Sequence, residues 1–440
     1  MITIGIDIGT TSICAAVMDT EKQQVITSRT LPGGSFLPGA PWERMQDPQE
    51  IIERACGLLE ELLTAYPEIA AIGLTGQMHG ITYIDKEGKS ISPLYTWQDG
   101  RGNLPRSRAA AESGVPLHTY IRETYHIPAA SGYGLVTHIY NQEAGLVPTE
   151  AVTIATIMDY LGMVLTGRKR PLMHASNAAS LGFFDEEHLC FYTEILEACG
   201  VSTDFLPEVI AFMEPIGDFR GLPVYTALGD NQASFLGAVG MDRNTWQINV
   251  GTGGQISVLS DRIFTASGIE ARPYLNGTWI LTGSILCAGR AYAILEHFFR
   301  AYAAACGAPE EEQYSIMAKL AAESETSTPP LCISTKFAGT RIDPNVRGSI
   351  TGISEDNFTP GSMIHGVLQG IVNEFLEIGH PIMEGTGMKV DKIIGSGNGL
   401  RKNALLQHYC EQTFHAPLTM SIFVEEAASG AALSPLYRTK

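Results

Sequence analysis

Two turns rich in glycine and threonine are the first segments of this sequence whose residue types could do chemistry. The turn at 9–12 (GTTS) follows an alternating apolar run, and the turn at 251–253 (GTG) follows a similar run more than half the chain later. Such turns direct backbone N–H groups and hydroxyls into one small concavity, which suits phosphate oxygens. Asp7 precedes the first turn, and its carboxylate would repel bare phosphate unless it holds Mg²⁺ through water. One such turn is often a plain hairpin, but a related pair favours phosphate binding.

A lone carboxylate, Asp230, stands at the end of a predicted strand between Gly229 and Asn231. Strand ends are where α/β proteins place reactive groups, and a carboxylate can take the proton of an alcohol that attacks phosphorus. Aspartate is also a favoured helix N-cap, and residues 231–239 could form a helix. The local sequence leaves catalytic base and helix cap as equal alternatives.

Two polar segments could bind a polyhydroxyl ligand. Gln77 and His79 interrupt the chain after a buried strand, and such a ligand needs neutral donors and acceptors more than charge; the alternative is an ordinary turn with a surface histidine. Further on, Trp97 offers an aromatic face beside Asp99. There the alternative is a core tryptophan with a surface pair between Asp99 and Arg101.

A glycine-rich turn at 395–399 (GSGNG) lies between a predicted strand and a predicted helix. A dinucleotide fold would need a further glycine at position 400, where Leu400 stands. The turn can equally let the backbone approach an adenine or ribose. The sequence has neither GxxxxGK[ST] nor HExxH, which argues against a P-loop protein and a zinc protease.

The elements that position these residues form two similar halves. The first half opens with three strand-like runs, followed by a helix over 49–63 and a strand over 69–74. The second repeats strand, turn and strand over 246–259 and adds helices over 291–303, 364–378 and 405–414. A helix is also predicted over 154–165. The repeated hairpin predicts two lobes of one plan with a boundary near 233–244.

Composition excludes several classes of protein. A hydrophobic fraction of 45% with 17% charged residues is typical of a globular chain, and no run reaches the ~18 apolar residues that span a bilayer. The net charge of −18 disfavours nucleic acid and anionic lipid as partners. The eight cysteines are scattered without a CxxC pair, and the N-terminus reads as a strand, which predicts a cytoplasmic protein with reduced thiols.

Taken in order, these segments resemble the FGGY family of carbohydrate kinases, within the superfamily of hexokinase, actin and the heat-shock chaperone ATPases. The resemblance covers essentially the whole chain. The matching segments are 6–12, 46–48, 76–80, 159–161, 165–167, 206–224, 229–231, 252–253, 395–403 and 426–432, together with Gly289. In one departure, many relatives carry Lys or Arg where Cys14 stands, so a phosphate-facing cation is missing there.

The resemblance implies an α/β fold of two actin-like (ribonuclease H-like) lobes, 1–235 and 236–440, with mixed five-stranded sheets and an interlobe cleft. It implies that Asp230 is the catalytic base. The implied sugar-binding residues are Gln77, Met78, His79, Trp97, Asp99 and Asn231. The implied ATP-binding residues are Thr10, Thr11, Ser12, Thr252, Gly253, Gly289, Gly397, Asn398 and Asn403. Mg²⁺ would be held by Asp7 through water, with ATP between the two hairpins; a homodimer is left open.

The expected substrate is a ketose, with sedoheptulose first and xylulose second. Met78 and His79 offer an apolar wall and one neutral donor–acceptor, and no cation in 76–80 or next to Asp230 in sequence would pair with an acid sugar. The segment 96–101 resembles that of sedoheptulokinases within the family. The alternatives are another polyol or sugar kinase, an actin- or chaperone-like ATPase, and a relic that binds sugar without turning it over.

Overall fold

The structure, a computed structural model, describes residues 1–105, 114–324 and 331–438. The chain divides into two compact units. The first consists of Met1–Gly240, Arg272–Trp279 and Phe423–Lys440, and the second of Met241–Ala271 and Ile280–Ile422. The domain division near residue 235 stays a prediction. The two units differ from it because Arg272–Trp279 and the last segment of the chain belong to the first unit.

The strands include the three runs predicted at the N-terminus and both strands of the second Gly-Thr hairpin. In chain order they are β1 (Ile2–Ile8), β2 (Ser12–Asp19), β3 (Gln24–Pro32), β4 (Met45–Gln46), β5 (Ile69–Gly76), β6 (Thr82–Asp85), β7 (Leu94–Tyr95), β8 (Ala151–Ala155), β9 (Leu172–His174), β10 (Phe184–Asp185), β11 (Cys190–Phe191), β12 (Glu208–Ile210), β13 (Pro215–Phe219), β14 (Leu222–Tyr225), β15 (Leu228–Gly229), β16 (Thr245–Val250), β17 (Gly254–Ser260), β18 (Glu270–Pro273), β19 (Trp279–Ile285), β20 (Cys332–Ser334), β21 (Ser349–Thr351), β22 (Lys392–Ser396) and β23 (Leu418–Met420).

The helices include the predicted ones at 49–63, 291–303, 364–378 and 405–414, each somewhat longer than predicted. In chain order they are α1 (Pro48–Ala65), α2 (Leu117–Tyr125), α3 (Gly134–Ala144), α4 (Ile157–Thr166), α5 (Ala175–Ser180), α6 (Thr193–Ala198), α7 (Asp230–Ala238), α8 (Gly289–Ala305), α9 (Tyr314–Glu323), α10 (Pro360–Thr386), α11 (Asn398–Arg401), α12 (Ala404–Phe414) and α13 (Glu426–Leu433). None of the helices in the described part of the chain is long and apolar enough to cross a membrane.

The two main sheets share one plan. The first has the order β13-β14-β5-β1-β2-β3, and β15 also pairs with β5. In it β1, β2 and β3 are antiparallel, whereas β5 runs parallel to β1, β14 and β15. The second has the order β18-β19-β17-β16-β22-β23, with β16 antiparallel to β17 and parallel to β22. This repetition confirms the prediction of two lobes of one plan.

Each sheet contains the five predicted strands in the same order and is then extended. The shared five are β3-β2-β1-β5-β14 in the first sheet and β19-β17-β16-β22-β23 in the second. The first sheet has seven strands because β13 pairs antiparallel with the edge strand β14 and the short β15 lies beside β5; the second has six because β18 lies beside β19. Such partners cover edges that would otherwise expose unpaired backbone groups.

Local sequence explains where two helices of the first unit begin. Asp47 caps α1 by accepting a hydrogen bond from Gln49 N, and Pro48 fits the first helical position, where no N–H is needed. The helix predicted over 154–165 begins later, at Ile157, because β8 pairs with β6 up to residue 155 and Thr156 supplies the cap. Side chains of α1 that face the sheet are buried: Ile51, Ile52, Ala55, Leu58, Leu59 and Leu62.

The last helix, α13, packs on the first sheet and on α7 through very small residues. A Cβ added to Gly73 in β5 would lie 1.8 Å from Ala431 O, and one added to Gly430 would lie 1.8 Å from Ala233 O. Neither position can hold a side chain without a shift of backbone. Glycine at these points therefore sets how closely α13 approaches the sheet that carries the candidate site.

Candidate active site

The carboxyl ends of three parallel strands meet at one edge of the first sheet. Ile8 of β1 lies opposite Gly76 of β5, and Gly76 lies opposite Gly229 of β15. The segments that follow these strands therefore emerge side by side. They are the first Gly-Thr turn, the predicted sugar-binding residues 77–79 and the pair 230–231. The structure thus brings together three motifs that are far apart in the sequence.

Asp230 is not the cap of its helix. Gly229 occupies the N-cap of α7, and Asp230 is the first helical residue. Its Oδ1 accepts hydrogen bonds from Asn231 N at 2.6 Å and Asn231 Nδ2 at 3.0 Å. No described residue donates to Oδ2, and this geometry leaves that oxygen for the proton of a substrate hydroxyl. Of the two alternatives that the sequence left open, the geometry favours the base.

Burial raises the pKa of both carboxylates at this edge toward neutral pH. It raises the pKa of Asp230 to about 6, although the hydrogen bonds from Asn231 and the charge of Arg272 lower it. It raises the pKa of Asp7 to about 7, with the negative charges of Asp230 and Glu425 acting in the same direction. A general base works best when its pKa lies near the working pH. Two neighbouring carboxylates raised in this way are typical of a functional site.

Asp7 has the properties of a ligand for a hard cation. Its Oδ1 is buried and has no hydrogen-bond partner among the described residues, and magnesium prefers such oxygens, often through water. The described residues contain no group of three or more His, Cys, Asp or Glu side chains that could hold a metal directly. The residues therefore fit a magnesium ion held by Asp7 through water.

Cys14 faces Asp7 across the antiparallel pair β1–β2. Burial raises the pKa of its thiol to about 12, and the charges of Glu425 and Asp7 add to the effect. The thiol therefore stays protonated and neutral, and it supplies no cation where many relatives carry Lys or Arg. A lysine or arginine at this position would face two carboxylates.

Met78 and His79, both predicted sugar residues, lie at this edge together with Asn231. Met78 is buried, and its sulfur lies 3.8 Å from Asn231 Nδ2. His79 adopts a left-handed φ of 72°, and its ring stacks on Tyr133 with centroids 5.0 Å apart. His79 Nδ1 lies 2.6 Å from Ser180 O, a carbonyl oxygen, and must carry the proton. The Nδ1 proton of His79 is therefore used within the protein.

Gln77 and Asp99 are placed differently from the prediction. Gln77 is 2% exposed and both polar atoms of its side chain are hydrogen-bonded within the protein. Asp99 is also buried, and its oxygens accept from Arg101 Nε at 2.6 Å and from Arg44 N at 3.1 Å. Neither side chain is placed to contact a sugar directly. The surface pair considered for Asp99 and Arg101 exists, but it is buried; Trp97, instead of lying in the core, is 47% exposed.

Helix α5 connects the two sides of the site, and the sequence analysis missed it. Ser176 Oγ accepts from Gly229 N at 3.1 Å, and Asn177 Nδ2 donates to Ala227 O at 3.1 Å, so the helix holds the strand that ends at Asp230. At its other end Ser180 Oγ accepts from His79 N at 3.1 Å. The sequence signal was a run of small residues, ASNAAS, directly after β9.

In the first Gly-Thr turn the three predicted phosphate residues differ in exposure. The hydroxyl of Thr10 is engaged by Gln77 and Trp97. Thr11 is exposed, and its carbonyl accepts from Gly33 N at 2.8 Å, which fixes the turn. Ser12 begins β2 and is partly buried.

In the second unit, the Gly-Thr turn joins the first turn of α8. Thr252 is exposed, and its carbonyl accepts from Ala288 N at 3.1 Å and Arg290 N at 3.0 Å. A Cβ on Gly289 would lie 2.4 Å from Gly251 O, so Gly289 permits this close approach. The exposed side chain of Arg290, which the sequence analysis did not single out, is a cation next to the predicted phosphate turn. A Cβ on Gly253 would lie 2.8 Å from Ile285 O.

The predicted adenosine turn lies at the same end of the second sheet, because Asn249 of β16 pairs with Ser396 of β22. Gly397 has φ 80°, and a Cβ there would lie 2.4 Å from Val250 O, so only glycine fits. Asn398 is exposed at the start of α11. Asn403 instead caps α12, with its side-chain oxygen accepting from Leu406 N at 3.0 Å.

Comparison with known proteins covers nearly the entire chain. Residues 2–237 match the N-terminal domain of the FGGY family of carbohydrate kinases, and residues 248–437 match its C-terminal domain. The chain is 28% identical to a sedoheptulokinase of Mus musculus, over 99% of this chain and 98% of the relative. It is 24% identical to a xylulose kinase of Staphylococcus xylosus, over 98% and 89%.

Among solved structures, a glycerol kinase of Plasmodium falciparum with ADP superposes with a TM-score of 0.81 at 18% identity, over 99% of this chain and 89% of that chain. This likeness supports the two-lobed, actin-like fold that both sheets show. The chain belongs to the FGGY family of carbohydrate kinases, and it is a phosphotransferase with an alcohol group as acceptor.

Proposed function

We propose that this protein transfers the γ-phosphoryl group of ATP to a terminal hydroxyl of a ketose, with sedoheptulose preferred and sedoheptulose 7-phosphate as the product. Xylulose is the second candidate. The likeness to a sedoheptulokinase over almost the full length of both chains supports this order. The observation that carries the proposal is the strand edge that brings Asp230 and Asn231 beside Met78, with His79 next along the chain.

In the proposed reaction Asp230 acts as the general base. The terminal hydroxyl oxygen of the ketose attacks the γ-phosphorus as Asp230 takes the hydroxyl proton; the bond from that phosphorus to the bridging oxygen breaks, and ADP leaves with the electron pair. Backbone N–H groups of the first Gly-Thr turn would stabilise the negative charge on the transferring group. Magnesium, held by Asp7 through water, would neutralise phosphate charge.

Two arginines are candidates for the cation that Cys14 lacks. Arg290 lies next to the second Gly-Thr turn, where phosphate would bind. Arg272 acts electrostatically on Asp230, which puts a positive charge near the sugar side that the sequence alone did not show. Arg272 weakens the argument against an acid sugar, and the substrate panel must therefore include one.

An ADP-release assay over a panel of acceptors tests the proposal. Sedoheptulose should give the highest kcat/KM, xylulose the next, and glycerol, rhamnulose and gluconate much lower values. Phosphorylation of gluconate or glycerol with neither ketose turned over would contradict the substrate assignment. ADP release that no sugar stimulates would instead favour the chaperone-like ATPase.

A further inference from the structure

A directed chain of hydrogen bonds links the sugar side of the first unit to its Gly-Thr turn. Gln46, at the end of β4, is fully buried, and its Nε2 lies 2.9 Å from Thr10 O and 2.5 Å from Gly34 O. Both partners are carbonyl oxygens, so this atom of Gln46 must be the donor. Gln46 Oε1 is therefore the atom that faces Gln77.

The orientation of Gln77 follows from that of Gln46. Gln46 Oε1 can only accept, so the atom of Gln77 at 3.1 Å from it is Nε2. Gln77 Oε1 is then the atom that faces Thr10, and it accepts the Thr10 hydroxyl proton at 3.1 Å. Trp97 Nε1 can only donate, and it donates to the same hydroxyl at 3.0 Å. Each hydrogen bond in the chain from Trp97 through Thr10 and Gln77 to Gln46 thus has one possible donor and one possible acceptor.

This arrangement changes the roles of three residues. Thr10 has a single hydroxyl proton, and it donates that proton in a hydrogen bond to Gln77 Oε1. Thr10 can therefore donate to a phosphate only through its backbone N–H. Gln77 and Gln46 hold both the side chain and the carbonyl of Thr10, which fixes that backbone. Gln77 also follows β5, the strand that leads to Met78 and His79, and its own N–H donates to Ile8 O at 2.8 Å.

We propose that Gln46 and Gln77 are positioning residues for the nucleotide: they hold the Thr10 turn in the geometry that accepts phosphate, while the sugar is bound by their neighbours. This inference rests on the proposed function, since it assigns a role within the same site. It places the glutamine of the sugar-binding segment on the nucleotide side of the reaction. Trp97, which is half exposed, ties the loop on the sugar side to the same turn.

Calorimetric titration of Gln77→Leu, Gln46→Leu and the double variant, each with ADP and separately with the preferred ketose, tests this. Each single variant should weaken ADP binding about tenfold or more and change ketose affinity less than about threefold. Because both residues act through one turn, the double variant should bind ADP no more weakly than the worse single variant. Gln142→Leu is the matched control, since that amide reaches only Gly200 O on the same unit, and it should change neither affinity.

The opposite split, with ketose affinity lost and ADP affinity retained in Gln77→Leu, would show a direct sugar contact and overturn the inference. Additive losses of ADP affinity in the double variant would show that Gln46 and Gln77 act independently, and would contradict their action through one turn. If Gln77→Leu does not fold, Gln77→Glu takes its place. Glutamate keeps the shape and the acceptor but cannot donate to Gln46 when ionised. This variant should also lose ADP affinity while its ketose affinity changes little. Wild-type protein that binds no nucleotide would overturn the proposed function as well, whereas normal ADP binding by every variant would overturn this inference alone.

Discussion

At the scale of single residues, the site depends on carboxylates that are costly to ionise. Asp7 lies near the end of β1 and Asp230 directly follows β15, at the same edge of the first sheet. Both have a pKa well above that of a carboxylate in water. The stabilising groups around Asp230 are the hydrogen bonds of Asn231 and the charge of Arg272, and they only partly offset burial. Asp230, the proposed base, would therefore exchange its proton near neutral pH.

The acid side of the pH–rate profile should show these shifts. A general base must be ionised, so raising its pKa moves the loss of activity to higher pH. We expect kcat/KM for the sugar to fall as pH drops through 6–7, instead of near 4 as for an unperturbed carboxylate. The two groups interact, so the apparent values belong to the pair.

The variant Asp230→Asn is the control for this profile. It should lower kcat by about 10²–10⁴ while ketose binding changes far less. Constant kcat/KM from pH 8 to pH 5 in the wild-type protein, or near-normal turnover in Asp230→Asn, would remove Asp230 from the role of base.

At the scale of elements, the spacing between α13, α7 and the first sheet depends on residues that lack a side chain. Gly430→Ala should lower the midpoint of thermal unfolding, because its Cβ would overlap Ala233 O of α7, and overpacking of this kind costs about 1–3 kcal/mol. Gly57→Ala is the matched control: no atom lies within 4 Å of a Cβ there, and alanine inside α1 should stabilise by about 0.5–1 kcal/mol. An unchanged midpoint for Gly430→Ala would show that the contact yields easily.

The elements could be predicted where the local pattern decides them. Alternation in β1 and one apolar face in α1 were sufficient, and the glycine–threonine turns marked both hairpins. The start of α4 was wrong by three residues because β8 competes for the preceding residues, and pairing with β6 is invisible in a local window. Helix α5 was missed because six residues are too few to show a period.

The site was predictable by segment but less so by side chain. The segments of Gln77, Trp97 and Asp99 were singled out from the sequence, and their role in sugar binding stays a prediction. Which of these side chains is buried depends on Arg101, Gln46 and Thr10, which approach from other elements. Long-range contacts of this kind give no signal in the spacing of residues. The segment of Gln77 was therefore predicted to bind sugar, although the Gln77 side chain is hydrogen-bonded to Thr10 and Gln46.

At the scale of the whole molecule, the chain does not build its units in sequence order. The first unit is completed by Arg272–Trp279, which interrupts the second unit in the sequence, and by Phe423–Lys440, which follows the whole of the second unit. The family domains, 2–237 and 248–437, follow the order of the chain instead. The sheet edge that carries Asp7 and Asp230 therefore depends on a helix that contributes none of the predicted binding residues.

Deletion of residues 423–440 should for this reason abolish ketose binding. Without α13, the sheet face at Gly73 and the buried Cys14 and Ala16, which pack against Ala428, would be open to water. Exposure of this buried face should destabilise the sheet, so we expect the first unit to lose its cooperative unfolding. Calorimetric titration with the ketose and a thermal scan measure both effects. Val424→Ser, at a side chain that is 80% exposed in the same segment, is the control and should change neither.

A peptide of residues 423–440 supplied separately distinguishes loss of packing from loss of a direct contact. If α13 acts through the sheet, the peptide should restore both ketose binding and the thermal transition of the truncated chain. A peptide carrying Gly430→Ala should restore less, since its Cβ would overlap Ala233 O on α7. A truncated chain that binds ketose with wild-type affinity would show that the first unit is complete without its C-terminal helix, and the dependence argued from the glycine contacts would be wrong.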